Sequence, residues 1–276
     1  MSTSLQHNTS LAEETFTNTR VSESREANNP STITISEVSE KVSPPPGELE
    51  GAGRRYYYSP AEVGRDSDTL KYLTEPKNIQ EIHDALILGI RDYFRKMGFK
   101  KAILASSGGI DSAVVLALAC RALGAENVQA LLMPSGFSSG HSVEDARQLS
   151  ENLENPYDVL PIQPSFEVAL EELSSIFRDL PFGLAEENIQ ARLRGLFVMA
   201  CSNKFGSILL NTSNKSELAV GYGTLYGDMA GGLSILGDVY KTQVYALARY
   251  INKDQEIIPE NILQKAPSAE LRQGQK

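Results

Sequence analysis

The sequence predicts an α/β fold, a parallel sheet flanked by helices, because short apolar runs alternate with longer segments of helical period. A second observation supports it: polar, glycine-bearing turns close the apolar runs at their carboxyl ends. The elements follow in chain order. From Asn78, the residues Ile79, Ile82, Leu86, Ile90, Tyr93 and Met97 recur at three- and four-residue spacing, which gives a helix one apolar face, and Gly98 stops it. Residues 101–105 (Lys-Ala-Ile-Leu-Ala) read as a short buried strand and residues 106–109 (Ser-Ser-Gly-Gly) as a turn. Residues 111–123 form an apolar helix ended by Gly124, and residues 128–133 a second strand. Ser142, with Asp145 three residues on, is placed to cap a helix running to Leu153. Residues 159–162 read as a third strand, followed by a helix through Leu170 to Phe177. A long helix over residues 186–205 leads into a strand at residues 207–211. Ligands of such sheets bind beyond the carboxyl ends of the strands. Residues 106–112, 134–142 and 212–217 all fall there.

Composition narrows the function. Hydrophobic residues make up 41% of the 276, enough for a real core, and the net charge of −9 lacks the basic footprint of a nucleic-acid binder. Anionic small molecules remain open, since a few cations and backbone N–H groups hold a phosphate. Cys120 and Cys201 both sit in apolar helical stretches and read as reduced core residues, with no disulfide framework or Cys₄ metal site on offer. With only three histidines, a His-based metal centre is not expected, and His141 is expected in solvent. The N-terminus has no apolar leader and carries Glu13 and Glu14, and no apolar run is of membrane length. The expectation is a soluble cytoplasmic protein with no membrane partner. Residues 1–55, rich in Ser, Thr, Glu and Asn with a break at Pro44-Pro45-Pro46-Gly47, are expected to form a disordered tail or linker, and residues 56–276 the folded domain.

The strongest chemical signal is Ser107-Gly108-Gly109-Ile110-Asp111-Ser112, between a strand and a helix. Glycines let the backbone turn tightly and approach a ligand, and a helix start attracts phosphate. A Walker A loop needs a lysine that is missing here. Asp111 stands instead, and an acid beside phosphates makes sense only with a divalent metal between them. The plainer reading of the same residues is a strand–helix turn with a capping aspartate.

Ser-Gly-Gly-x-Asp-Ser after a strand resembles the pyrophosphate loop of the N-type ATP pyrophosphatases, which have a Rossmann-like adenine nucleotide alpha hydrolase fold. Further motifs are similar to those of the NAD⁺ synthetases, closest to glutamine-dependent members. They are Glu187-Asn188-Ile189-Gln190-Ala191-Arg192-Leu193-Arg194, then Asn211-Thr212-Ser213-Asn214-Lys215-Ser216-Glu217, Gly221-Tyr222-Gly223-Thr224-Leu225-Tyr226-Gly227-Asp228, Asp238-Val239-Tyr240-Lys241-Thr242 and Lys265-Ala266-Pro267-Ser268-Ala269-Glu270-Leu271. The resemblance covers about residues 56–276 and implies ATP-dependent amidation of deamido-NAD⁺. A deamido-NAD adenylate is attacked by ammonia, and AMP and pyrophosphate are released.

The same resemblance implies the site. Ala105, Ser106, Ser107, Gly108, Gly109, Ile110, Asp111 and Ser112 cradle the phosphates, with Thr212, Lys241 and Ser268 also on ATP. Asp111 and Glu217 hold Mg²⁺, and Asp111 and Lys241 are the catalytic pair. Asn188, Arg192, Glu217 and Asp228 face deamido-NAD⁺. Arg194 reads as an ordinary surface arginine and Lys215 as structural or solvated. The family forms homodimers with the substrate site near the interface. Three departures stand out. Ala105 and Ser106 replace a glycine and an aliphatic residue, which is expected to lower activity. No cysteine precedes Cys120, so the expected nitrogen source is ammonia or a separate glutaminase. The chain stops at Lys276, where the family continues into a closing loop, and weak coupling of the two half-reactions is expected. Two other readings share these residues: another ligase on the same loop, and a non-catalytic nucleotide-binding fragment or pseudoenzyme.

Overall fold

The computed structural model describes residues 67–266 and 270–272. The expected tail and its boundary near residue 55 lie outside the described residues, as does Ser268. The chain opens with α1 (Ser67–Leu73) and α2 (Pro76–Met97). Pro76 suits a first helical turn, where its missing N–H leaves nothing unsatisfied. Ile79, His83, Ile87, Ile90 and Phe94 form the buried stripe of α2, with Ile82, Leu86 and Tyr93 along its margin. The period is the expected one, but the phase is turned. Phe94 occupies the place expected for Met97, which is 56% exposed.

The Rossmann-like part follows as β1 (Ala102–Ala105), α3 (Ile110–Leu123), a 3-10 turn at Ala125–Asn127, β2 (Val128–Leu132), α4 (Gly140–Leu153) and β3 (Tyr157–Val159). Then come α5 (Gln163–Phe177), α6 (Leu184–Phe205), β4 (Ile208–Asn211), α7 (Lys215–Val220), β5 (Leu233–Ser234), α8 (Lys241–Ile251) and α9 (Glu260–Gln264). The strands lie in the order β3-β2-β1-β4-β5, all parallel. From β1 the chain steps outward through β2 and β3, then returns to the other side of β1 with β4. That reversal leaves a crevice beyond the carboxyl ends of β1 and β4, where an open α/β sheet binds ligands.

Side chains of a strand alternate between faces. Ala102 and Leu104 therefore enter the core made with α2, α3 and α8, while Ile103 packs with Leu131, Met133 and Leu209 against Val198 of α6. Both faces are covered. The apolar runs of β1 and β4 are thus continuous in sequence because neither face sees water.

Two boundaries differ from expectation. The third strand was expected at 159–162 and lies at Tyr157–Val159. Its continuation still bonds the sheet, through Leu160 N to Leu132 O (2.8 Å) and Ile162 N to Pro134 O (2.9 Å), but Pro161 has no N–H to extend a ladder. The cap of α4 is Ser139, not Ser142; its Oγ accepts from Ser142 N at 3.1 Å. The replaced residues before the phosphate loop behave differently from one another. Ala105 completes β1 opposite Leu131 and is absent from the residues with left-handed backbone, so its Cβ causes no strain. Ser106 is 3% exposed, and its Oγ finds no partner among the described residues.

A buried hydroxyl without a partner costs free energy, and Ser106→Ala removes it without opening a large cavity. The variant is expected to be more stable by about 1 kcal/mol, read as a rise in the urea midpoint at unchanged slope.

Candidate functional site

The crevice is a cleft of about 680 Å³. One wall is the turn from β1 into α3. Ser107 Oγ and Ser112 Oγ lie 3.1 Å apart, Ser112 Oγ donates to Gly109 O at 3.0 Å, and Gly109 N donates to Ser107 Oγ at 3.1 Å. These bonds knit the turn without any side chain filling it. Gly108 takes φ +75°, and a Cβ there would sit 2.2 Å from Ser142 O. No other residue fits. Gly108 itself faces α4, while its neighbours Ser107, Gly109 and Asp111 face the cleft.

Charge gathers where the helices following β1, β4 and β5 begin. Asp111 is in the first turn of α3, Glu217 in the first turn of α7, and Lys241 is the first residue of α8. Asn214 joins the two acids. Its Nδ2 donates to Asp111 Oδ1 at 2.8 Å, and its N donates to Glu217 Oε2 at 3.1 Å. In return its Oδ1 caps α7 by accepting from Glu217 N at 3.1 Å. Lys241 Nζ pairs with Asp111 Oδ2 and lies 3.9 Å from Glu217 Oε1. Burial raises the Glu217 carboxyl above its ordinary 4.5, and the Asp111 carboxylate adds to the rise. Asn214 and Lys241 oppose it.

The far wall comes from α6 and the loop before β5. Arg194 Nε donates to Met133 O at 2.9 Å, and its guanidinium lines the cleft between Glu270 and Asp228. Burial pulls it down to about 10, against those two carboxylates, so it stays charged at neutral pH. The expected surface position of Arg194 is therefore corrected. Asp228 is exposed at the mouth, where it accepts from Thr224 N at 2.6 Å. Partial loss of water raises its carboxyl, against the lowering effect of that bond.

The model of the NAD synthase family matches residues 82–276. The chain belongs to that family. A glutamine-dependent NAD(+) synthetase of Synechocystis sp. is 56% identical over 71% of this chain and 35% of its own length. The chain thus spans about a third of the curated relatives it matches. Among solved structures, the glutamine-dependent NAD⁺ synthetase of Acinetobacter baumannii in complex with ADP superposes with TM-score 0.67 at 44% identity, over 70% of this chain and 37% of that one. An NMN synthetase of Francisella tularensis superposes with TM-score 0.64 at 33% identity, over 71% and 78%. The fold is that of the adenine nucleotide alpha hydrolases, as expected.

Within this NAD synthase domain, the cleft gathers Ala105, Ser106, Ser107, Gly109, Ile110, Asp111, Ser112, Thr212, Glu217, Asp228 and Lys241 of the expected residues. Asn188 and Arg192 are placed elsewhere. Asn188 Oδ1 accepts from Thr224 Oγ1 at 2.7 Å, and the exposed Arg192 donates from Nε to Leu225 O at 3.3 Å. Arg192 borders a separate hollow with Leu196 and Met199. Four-residue spacing does put Asn188 and Arg192 on one helix face, but Arg194, two residues on, is the one turned inward. Sequence reasoning also missed Asn211. Its Nδ2 donates to Asp228 O (3.0 Å) and its Oδ1 accepts from Ser213 N (3.0 Å), which fixes both loops at the end of β4. An asparagine closing an apolar strand was the available signal.

Glu217→Gln keeps the reciprocal cap of α7 and removes the half-buried charge. Below pH 4.5 Glu217 is protonated folded and unfolded, so the two proteins should be equally stable there. As pH rises, the unfolded chain ionises first, and native Glu217 loses stability until its raised pKa is passed. The variant's advantage should therefore grow from pH 4.5 upward and then level off, in urea midpoints measured with a chelator present.

Proposed function

We propose that this domain makes NAD⁺ by ATP-dependent amidation of deamido-NAD⁺. The observation that carries the reading is the convergence of Asp111, Glu217 and Lys241 beside the Ser107–Ser112 turn. A carboxylate does not condense with ammonia at neutral pH, because oxide is a poor leaving group. Attack of the nicotinate carboxylate on the α-phosphorus of ATP forms an acyl adenylate and releases pyrophosphate. Ammonia then adds to the acyl carbon and AMP leaves. Nitrogen reaches the site as free ammonia or from a glutaminase acting on glutamine.

The turn from β1 into α3, with Thr212 opposite and Ser268 in the motif that follows, supplies the ATP contacts. Arg194, turned into the cleft, and Asp228 at its mouth suit the deamido-NAD⁺ side, with Asn188 and Arg192 as a second, outer set. Asp111 and Glu217 fit Mg²⁺. They offer two carboxylates and leave the remaining positions for phosphate oxygens and water, the pattern this ion prefers. No group of three or more His, Cys, Asp or Glu able to hold a metal exists among the described residues, which accords with an ion shared with substrate. When bound, the ion neutralises charge building on the phosphates. Lys241 adds a mobile positive charge for the departing pyrophosphate.

A homodimer is part of the reading. On α6 the outward face carries Leu196 and Met199 three residues apart, with Leu196 61% exposed. Among the described residues no helix is long and apolar enough to cross a membrane, and this apolar face is instead suited to a second copy. A cytoplasmic site, where ATP is abundant, suits the reaction.

The test mixes ATP, Mg²⁺, ammonium and deamido-NAD⁺, or nicotinate mononucleotide in its place, and follows pyrophosphate and amide together. Formation of NAD⁺ from the dinucleotide, with pyrophosphate released, is expected; amidation of the mononucleotide alone would overturn the substrate. Asp111→Asn should lose roughly 10²–10³ in turnover. Leu196→Glu should shift sedimentation from dimer to monomer.

A further inference from the structure

Each acid at the site has one oxygen committed and one offered. Asp111 Oδ1 and Glu217 Oε2 are both held by Asn214, at 2.8 and 3.1 Å. The other two, Asp111 Oδ2 and Glu217 Oε1, both face the ammonium of Lys241, which pairs with the first and lies 3.9 Å from the second. Lys241 is also the first residue of α8, the end of a helix that disfavours a cation, and side-chain capping of α8 comes from Gln243 rather than from the lysine. Its charge is therefore held there by the two carboxylates and not by its own helix.

We infer that Lys241 is the stand-in cation of this site, and that divalent-ion binding and the lysine's contact with phosphate are one coupled exchange. The inference rests on the proposed Asp111–Glu217 metal site. An ammonium and a divalent ion against the same two carboxylates repel each other strongly. An ion arriving with nucleotide must displace Nζ, and the flexible four-carbon stem then lets the amine turn toward the polyphosphate. Without an ion, Lys241 keeps two like charges from facing each other bare. The lysine thus competes with the metal in the free protein and assists the nucleotide once displaced.

Mn²⁺ titrated without nucleotide, with the free ion read by electron paramagnetic resonance, tests the exchange. Lys241→Met should bind Mn²⁺ about tenfold more tightly than the native chain, because a positive charge a few ångströms from the ion is gone. Lys241→Arg, which keeps the charge, should bind no more tightly. In the native chain, amine-specific labelling of Lys241 followed by mass spectrometry should rise when Mn²⁺ is added, which needs no variant. Native binding of Mn²⁺ with equal or weaker binding by Lys241→Met, or with unchanged labelling, overturns the exchange and leaves the metal site standing. Failure of the native chain to bind Mn²⁺ even with ATP present overturns the metal site itself.

Discussion

Asp111 sits one residue inside α3, yet both of its partners arrive more than a hundred residues later. Asn214 comes 103 positions on and Lys241 130 positions on. A carboxylate taken partly out of water is tolerated only when it is paired and hydrogen-bonded. The start of α3 is therefore stable in this form only when the starts of α7 and α8 are in place. All three helices begin around one point. The dipoles of α3 and α7 favour Asp111 and Glu217 there, the dipole of α8 opposes Lys241, and the lysine–carboxylate contacts offset that opposition. The same arrangement that holds the loops together brings side by side the two carboxylates on which the proposed chemistry depends.

Behind the turn from β1 into α3 lies a second layer of polar contacts. Ser142, whose carbonyl abuts Gly108, belongs to the first turn of α4. Glu270 ties that turn down, accepting from Ser139 N at 3.1 Å and from Ser139 Oγ and Ser142 Oγ at 2.8 Å each. Lys265 Nζ donates to Ser142 Oγ at 3.1 Å and to Asp145 Oδ2 at 2.9 Å, and Asn261 donates to both oxygens of Asp145. Glu270 adopts φ 48°, a conformation that a non-glycine residue keeps only when its surroundings fix it. Lys265 and Glu270 thus buttress α4, and through α4 the turn from β1 into α3. On the opposite side, Gln190 of α6 donates to Leu271 O at 2.8 Å and Arg272 lies 3.5 Å from Glu187. One segment so braces both walls of the cleft.

Local pattern made much of this legible. Apolar period located α2, apolar runs located α3, β1, β2 and β4, and the rule for open parallel sheets put the site at the ends of β1 and β4. The Ser-Gly-Gly-x-Asp-Ser turn is readable because glycine at Gly108 answers a local need for positive φ. Short or edge elements were not legible. β5 is two residues long, α7 six, and β3 is an edge strand whose Asp158 carries no apolar signal, so tertiary hydrogen bonds define them rather than sequence period. Ser139 and Ser142 are both good caps by residue type, and only the observed bond from Ser142 N separates them.

The sequence by itself determined the layered α/β architecture, the phosphate-type turn and its acid, since these depend on residues within a few positions of one another. Only the tertiary structure decided which arginine of α6 enters the cleft, because a turn of 100° per residue leaves Arg192 and Arg194 on different faces and the helix's packing picks between them. It alone decided that Lys241 rests on Asp111 and beside Glu217, and that Glu270 braces the loop from behind. The contacts of Lys241 with Asp111 and of Glu270 with Ser142 join residues more than a hundred positions apart, and no local period or propensity encodes a distance of that kind.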